Sequence, residues 1–357
     1  MKQTALPPNA EAQVAAIADG AVRAGPLTGI PQLLRDLGQD PAVVFASADF
    51  DPRVLEDPEN TVSFTRGGRL LETCVEATAC PHFGLLIGQR VGIEGLGLVG
   101  MLARNSPTPM HALRNIVLHL HLHDRGAVPI LSVDDSEASL GYVIYQPGVR
   151  ATAQIYDISA AVGYNILRAL CGPGWRPRSV LLPHARPHDP TPYRRVFGVT
   201  PSFDADETAL VFAADRLKRP LRGADPALYR KLQDRVDELS AAVYHDLASR
   251  VRRIACNLLH CGSGSLESAA DVLSMHPRTL DRQLQRSGTS YRLLRDECAQ
   301  AHASHLLLET DLPVAEIAAR LQYASHPAFT RAFRRWTGST PASWRASRRN
   351  AESVQKR

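Results

Sequence analysis

The chain has 357 residues, of which 44% are hydrophobic and 22% charged, a composition that excludes a disordered or fibrous protein. That length is long for one core and predicts two domains. The net charge of +5 is unevenly spread: from Arg250 onward 17 Lys and Arg face 9 Asp and Glu, against 24 and 27 before it, the footprint expected where a C-terminal segment neutralises phosphates.

In chain order, residues 1–27 read as a flexible N-terminus, Ala- and Pro-containing at its start. From Thr28 to about Asp124 the chain reads as helical, with connections at Asp40-Pro41, Cys80-Pro81 and the SPTP stretch at 106–109. VPILSV (128–133) and SLGYVIYQP (139–147), separated by the acidic DDSE turn, predict a hairpin. A helix follows from Thr152 to Leu170 and is broken by Cys171-Gly-Pro-Gly, after which SVLLPHA (179–185) reads as a strand. The PTPYRRVFG and ADETALVFAADRL stretches supply a short helix and a further strand. Residues 28–225 are therefore expected to form an α+β domain, with helices first and a small antiparallel sheet later.

Asp225-Pro226 opens an amphipathic linker-helix region over 226–262. Leu228, Leu232, Val236, Leu239, Val243, Leu247, Val251, Ile254 and Leu258 recur there at intervals of three and four and make one apolar stripe. The stripe fits one or two helices packed on neighbouring domains, and it equally fits a dimer contact or a lever joining them.

The remaining sequence contains one pattern twice. LESAADVLSMHPRTLDRQLQRSGTS (266–290) and PVAEIAARLQYASHPAFTRAFRRWTGST (313–340) align Ala270 with Ala318, Arg282 with Arg331 and Gly288 with Gly338. Each copy reads as a helix-turn-helix, a motif whose second helix enters the major groove of DNA. In the first copy Leu266, Ala270, Leu273, Leu280 and Leu284 supply the packing face, and Pro277 opens the second helix. Its candidate DNA-binding residues are His276, Arg278, Asp281 and Arg282. Arg grips guanine O6 and N7, while Asp281 either accepts from cytosine N4 or steers a neighbouring arginine. In the second copy Ile317, Ala318, Leu321, Phe329, Phe333 and Trp336 pack inward, leaving Ser325, His326, Thr330 and Arg331 as candidates. Thr330 offers a methyl or hydroxyl to a base edge, Arg331 reaches base or phosphate, and Arg334 and Arg335 touch the DNA backbone or close the fold. The all-α segment at 263–348 is thus expected to bind double-stranded promoter DNA, with 349–357 as a basic tail.

Other motifs point to no chemistry. Gly95-Leu-Gly97-Leu-Val-Gly100 matches GxGxxG but lacks the strand–helix context of a dinucleotide site, so it reads as structural. His119, His121 and His123 in HLHLHD share a face only on a strand; with helical spacing His119 and His123 remain as a two-ligand pair. No GxSxG, Walker or HExxH motif occurs, and no catalytic residue, metal or cofactor is expected. Six cysteines without CxxC spacing read as reduced thiols. With no apolar run of eighteen residues and no signal-peptide core, no membrane association is expected and the cytoplasm is the expected location.

The segment Ser265 to about Arg345 resembles the DNA-binding domain of the AraC/XylS family of bacterial transcription regulators. The resemblance rests on DLPVAEIAARLQY, on F-x-R-x-F-R-R-W-x-G (Phe329, Arg331, Phe333, Arg334, Arg335, Trp336, Gly338) and on Pro341. It implies two helix-turn-helix subdomains joined by a long helix, here Ser290 to Thr310. Three residues depart from the pattern: Gln322 and Ser274 stand at turns where Gly is usual, and His276 where Ser caps the helix. A positive φ at 322 or 274 would carry strain, and the cap at 276 is expected to be weaker.

Residues 28–235 resemble the arabinose-binding-type effector domain of one branch of that family. The matching stretches are LLRDLGQDPAVV, PHFGLLIGQRV, GLGLVGMLARNSPT, LCGPGWRPRSV and RPLRGADPALYRKL. This implies a small-molecule effector of unnamed identity, a homodimer and an activator that contacts RNA polymerase. Two other functions fit the sequence: a metal- or nucleotide-dependent enzyme with a DNA-binding tail, and a non-specific structural DNA binder.

Overall fold

The computed structural model describes residues 17–347 except 19, 145, 147, 244–246, 261–263, 274 and 311. Contacts divide the chain into one unit ending at Val243 and another starting at Tyr244.

The first unit opens with β1 (Ala21–Arg23), paired antiparallel to β2 (Thr61–Ser63) with Val22 opposite Val62. Residues 21–27 were expected in a flexible terminus. They instead form this strand and a 3-10 turn, because Ala21, Ala24 and Leu27 are buried; residues 1–16 of that terminus lie outside the described residues. Between the two strands run α1 (Ile30–Asp36) and α2 (Pro41–Ser47), the latter capped by Asp40. α3 (Phe64–Thr78), capped by Ser63, and α4 (Phe83–Gly88) follow.

The GxGxxG run starts inside a 3-10 turn (Ile93–Leu96), not after a strand, and its remainder from Gly97 opens α5 (Gly97–Arg104). A Cβ on Gly100 would lie 1.9 Å from the Ile93 carbonyl oxygen, so that glycine serves local packing. α6 (Pro109–His119) ends in a 3-10 turn over Leu120–Leu122, which removes the helical register that would have set His123 beneath His119. Among the described residues no group of three or more His, Cys, Asp or Glu is arranged to hold a metal ion.

The predicted hairpin forms as β3 (Ala127–Val133) and β4 (Glu137–Ile144). Its turn is held by Asp134, whose Oδ1 accepts from the amides of Ser136 and Glu137 at 2.8 and 2.7 Å. α7 (Thr152–Cys171), β5 (Ser179–Leu181), α8 (Thr191–Phe197) and β6 (Thr208–Ala213) complete an antiparallel sheet of order β3-β4-β6-β5. α7 crosses the sheet at Gly163, where a Cβ would lie 3.2 Å from Leu210. On its other side it meets α4: Cβ atoms on Gly84 and Gly88 would lie 2.2 and 2.6 Å from the carbonyl oxygens of Gln154 and Ile158. Gln154 locks that crossing, accepting from the Gly84 amide at 2.7 Å and donating to the Pro81 carbonyl at 2.8 Å. The glycines of the PHFGLLIGQRV stretch are therefore packing glycines.

The apolar stripe of 226–260 is shared between two helices and two cores. α9 (Pro226–Val243) places Leu232, Val236 and Leu239 in the core of the first unit. α10 (Leu247–His260) belongs to the second unit; there Val251 of the stripe is buried, but the helix turns Ala255 and Leu259 fully inward and leaves the expected Ile254 and Leu258 only half-buried. In the second unit α11 (Leu266–Val272) and α12 (Pro277–Arg286) precede the long α13 (Tyr291–Glu309); α14 (Val314–Arg320), α15 (His326–Thr337) and a last helical stretch over 341–347 follow it. α13 organises the unit through adjacent carboxylates: Asp296 accepts from Arg335 of α15 at 2.7 Å, and Glu297 accepts from Arg252 of α10 at 2.7 Å.

Not all of the cysteines are the reduced thiols expected from their spacing. Cys256 of α10 and Cys298 of α13 are joined by a disulfide, with Cα atoms 5.3 Å apart. Two distant cysteines carry no pairing signal in sequence, and only the packing of α10 on α13 brings them together. Cys74, Cys80 and Cys171 are free thiols.

Candidate nucleic-acid interface and ligand cavity

The helix pairs 266–286 and 314–337 present the residues singled out from the repeat. α12 is fixed inward by the fully buried Leu280 and Leu284. Arg278 and Arg282, four residues apart, are exposed on its other face. Asp281 is half-buried and accepts from Gln285 at 2.9 Å; its described partner is an amide rather than an arginine. Gln285 is itself exposed, one turn along from Asp281 on the same face.

The missing Ser at position 276 is compensated. His276 has the extended conformation of an N-cap, and its Nδ1 accepts from the Arg278 amide at 3.2 Å. The imidazole thus does the work of a hydroxyl, provided that Nδ1 carries no proton.

α15 is built on an aromatic cluster. Phe333 packs against Phe329 at 5.7 Å and Trp344 at 5.8 Å, and Tyr323 lies 5.4 Å from Phe329. That cluster accounts for the apolar half of the F-x-R-x-F-R-R-W signature. Ser325 caps the helix by accepting from the Ala328 amide at 3.4 Å, and Ser325, His326 and Arg331 are exposed. Thr330 differs from its neighbours: its Oγ1 is buried and has no hydrogen-bond partner among the described residues, so the hydroxyl is not offered to solvent. Arg335 closes the fold on Asp296.

The second turn carries the anticipated strain, since Gln322 has φ +60°. Its side chain repays part of this by donating to the carbonyls of Leu258 and Leu259 at the end of α10. Ser274 lies outside the described residues.

The first unit holds a cavity of about 140 Å³ between the sheet and helices α3 and α7. Leu27, Leu71, Ile116, Leu140, Ile158 and Leu210 make it mainly apolar, and Arg23, His123, Asp124, Tyr142 and Thr208 form its polar corner. Of these, sequence reasoning singled out only His123, and that as half of a metal-ligand pair with His119. Arg23 fell in an expected flexible tail, and the strands that carry Tyr142 and Thr208 meet only through sheet pairing.

Both units match known protein families. Residues 38–221 match a family described as the arabinose-binding domain of AraC transcription regulator, N-terminal, and residues 269–347 match a helix-turn-helix domain family. The chain is 32% identical over 329 residues to the HTH-type transcriptional regulator VirS of Mycobacterium tuberculosis, covering 91% of this chain and 96% of that protein. It is 29% identical over 316 residues to the ornithine utilization regulator of Pseudomonas aeruginosa, covering 88% and 93%. Among solved structures it is similar to the transcriptional regulator CdpR of Pseudomonas aeruginosa, with 20% identity, a TM-score of 0.41 and coverage of 88% of this chain and 98% of that one.

Proposed function

The chain belongs to the AraC family of transcription regulators, and on that premise we propose that it is an effector-responsive activator that works in the cytoplasm on promoter DNA. It is a DNA-binding helix-turn-helix regulator, and its relatives are regulators rather than enzymes. In this reading α11–α12 and α14–α15 are two helix-turn-helix subdomains that enter successive major-groove segments. Each is led by a capped helix N-terminus: His276, Arg278, Asp281 and Arg282 on one, Ser325, His326 and Arg331 on the other.

The observation that carries this reading is the matched exposure of Arg282 and Arg331. They stand at equivalent places on two helices whose opposite faces are buried. The functions follow the two units. The first binds a small-molecule effector and a second copy of the chain, while the second binds DNA and engages RNA polymerase. Effector binding alters output by favouring one arrangement of the two units, with the 226–260 helical region as the lever.

The test compares the affinity of the full-length protein for the region upstream of its neighbouring genes with that for random DNA of equal length. A specific regulator prefers the former by about a thousandfold or more. Equal affinity would overturn the reading in favour of a structural DNA binder.

A further inference from the structure

We propose that the cavity of the first unit is the effector site and that it takes an uncharged, mainly apolar molecule the size of one six-membered ring, bearing a single hydrogen-bonding oxygen. The inference rests on the reading of this chain as an effector-responsive regulator and adds the chemical class of the ligand and the residues that select it.

Size comes first. The cavity measures about 140 Å³, close to the roughly 150 Å³ apolar cavity that accommodates benzene in an engineered protein. Its shape depends on a helix-interior glycine. Gly67 lines it from α3, and a Cβ there would meet only Val62 at 3.5 Å and Leu27 at 3.8 Å, both ordinary contacts. Ala would fit and would favour the helix, so the glycine costs stability and contributes empty volume instead.

Charge comes next. Both charged residues that line the cavity are already engaged by the protein. Arg23 bridges Glu59 at 3.0 Å and donates to the carbonyls of Leu122 and Glu59 at 2.9 and 2.8 Å. Asp124 accepts from the amides of Gly126 and Ala127 at 2.8 and 3.1 Å and from the Tyr142 hydroxyl. His123 is neutral, since burial and the neighbouring Arg23 charge push it down to about 3. A charged ligand would be desolvated here without a counter-ion.

Two lining residues have polar atoms left over. Nδ1 of His123 and Oγ1 of Thr208 are buried and have no hydrogen-bond partner among the described residues. Thr208 pairs with Tyr142 across the sheet, as Leu210 pairs with Leu140, so these four share the face that the cavity abuts. One or two unpaired groups in an apolar lining match a ligand with one oxygen. A pentose, with a hydroxyl on nearly every carbon, would leave most of them unpaired.

The experiment uses the full-length protein with phenol, benzene, benzoate and L-arabinose as probes, read by calorimetry and thermal shift, together with Gly67→Ala and Thr208→Val variants. Phenol is expected to bind, and benzoate and L-arabinose are not. Thr208→Val should raise the melting temperature of the free protein, because it deletes an unpaired buried hydroxyl. The same change should weaken phenol about five- to tenfold and leave benzene unchanged, whereas Gly67→Ala should weaken both ligands without lowering the melting temperature. Tighter binding of benzoate or L-arabinose than of phenol, or phenol binding indifferent to both substitutions, would overturn the assignment. Phenol binding that obeys these rules but never alters affinity for promoter DNA would leave the cavity's chemistry standing and overturn its role as an effector site.

Discussion

Oδ1 of Asp157, on a carboxylate with no solvent exposure, lies 2.9 Å from Nε2 of His184. The pair ties α7 to the chain after β5, and Tyr193 of α8 donates to the other carboxylate oxygen at 2.7 Å. Burial, the largest influence on His184, favours its neutral ring; the hydrogen bond and charge of Asp157, with the Ala185 carbonyl and Asp204, outweigh it and raise the pKa. A folded-state value above the unfolded one, about 6.5, means that the folded protein holds this proton more tightly. The stabilisation is therefore complete below about pH 6.5 and is lost as pH rises through the raised value. The melting-temperature advantage of wild type over His184→Gln should shrink across that window, and a difference independent of pH would refute the argument.

The α4–α7 crossing predicts a contrast among glycines. Gly84→Ala and Gly88→Ala each push a methyl into backbone atoms, which cannot move aside as side chains do. Each should cost at least roughly 1–3 kcal/mol by overpacking, seen as a lower urea midpoint for the first unit. Gly67→Ala, in the same unit, should not.

Arginines of α15 separate by role. Arg331→Ala and, on α12, Arg282→Ala should each weaken promoter binding by about 1–3 kcal/mol if they contact bases. Arg335, held on Asp296, should instead affect stability by less than about 1 kcal/mol when replaced by Ala, and leave sequence preference intact. Unchanged promoter binding at moderate salt in both Arg282→Ala and Arg331→Ala would remove those two from the interface.

Gln322 couples a strained backbone to a useful side chain. Left-handed geometry costs an L-residue about 1–2 kcal/mol, and a hydrogen bond to the end of α10 returns about 1 kcal/mol. Gln322→Ala keeps the strain and loses the bond, so it should destabilise the second unit by about 1 kcal/mol. Gln322→Gly loses both and should lie near wild type. Chemical denaturation ranks the three, and Gly below Ala would contradict the balance.

The Cys256–Cys298 bond is open to a direct check. Protein denatured without reductant should yield a linked peptide pair by mass spectrometry and fewer titratable thiols than after reduction. In a reducing compartment such a bond forms transiently, and an unlinked pair in oxidised protein would remove it.

Local patterns were legible before any coordinates. The hairpin at 127–144 follows from two β-rich runs around an acidic turn, α12 from Pro277 ahead of its packing leucines, and α15 from the spacing of Phe329, Phe333 and Trp336. The charge imbalance and the repeated core positions were enough to locate the DNA-binding segment. What was missed is non-local. Strands of three residues, such as Ala21–Arg23, are too short to show a period and exist only because Thr61–Ser63 pairs with them. The 226–260 stripe marks an apolar face but not which core receives it; it feeds two, and in α10 the buried residues after Val251 are Ala255 and Leu259, one position on from the expected Ile254 and Leu258. A disulfide across 42 residues of separation and a cavity that brings Arg23, His123 and Thr208 to one corner depend on packing between distant segments. Periodicity reports the environment of a residue along its own helix or strand. The identity of its neighbours across space is decided only when the chain closes on itself.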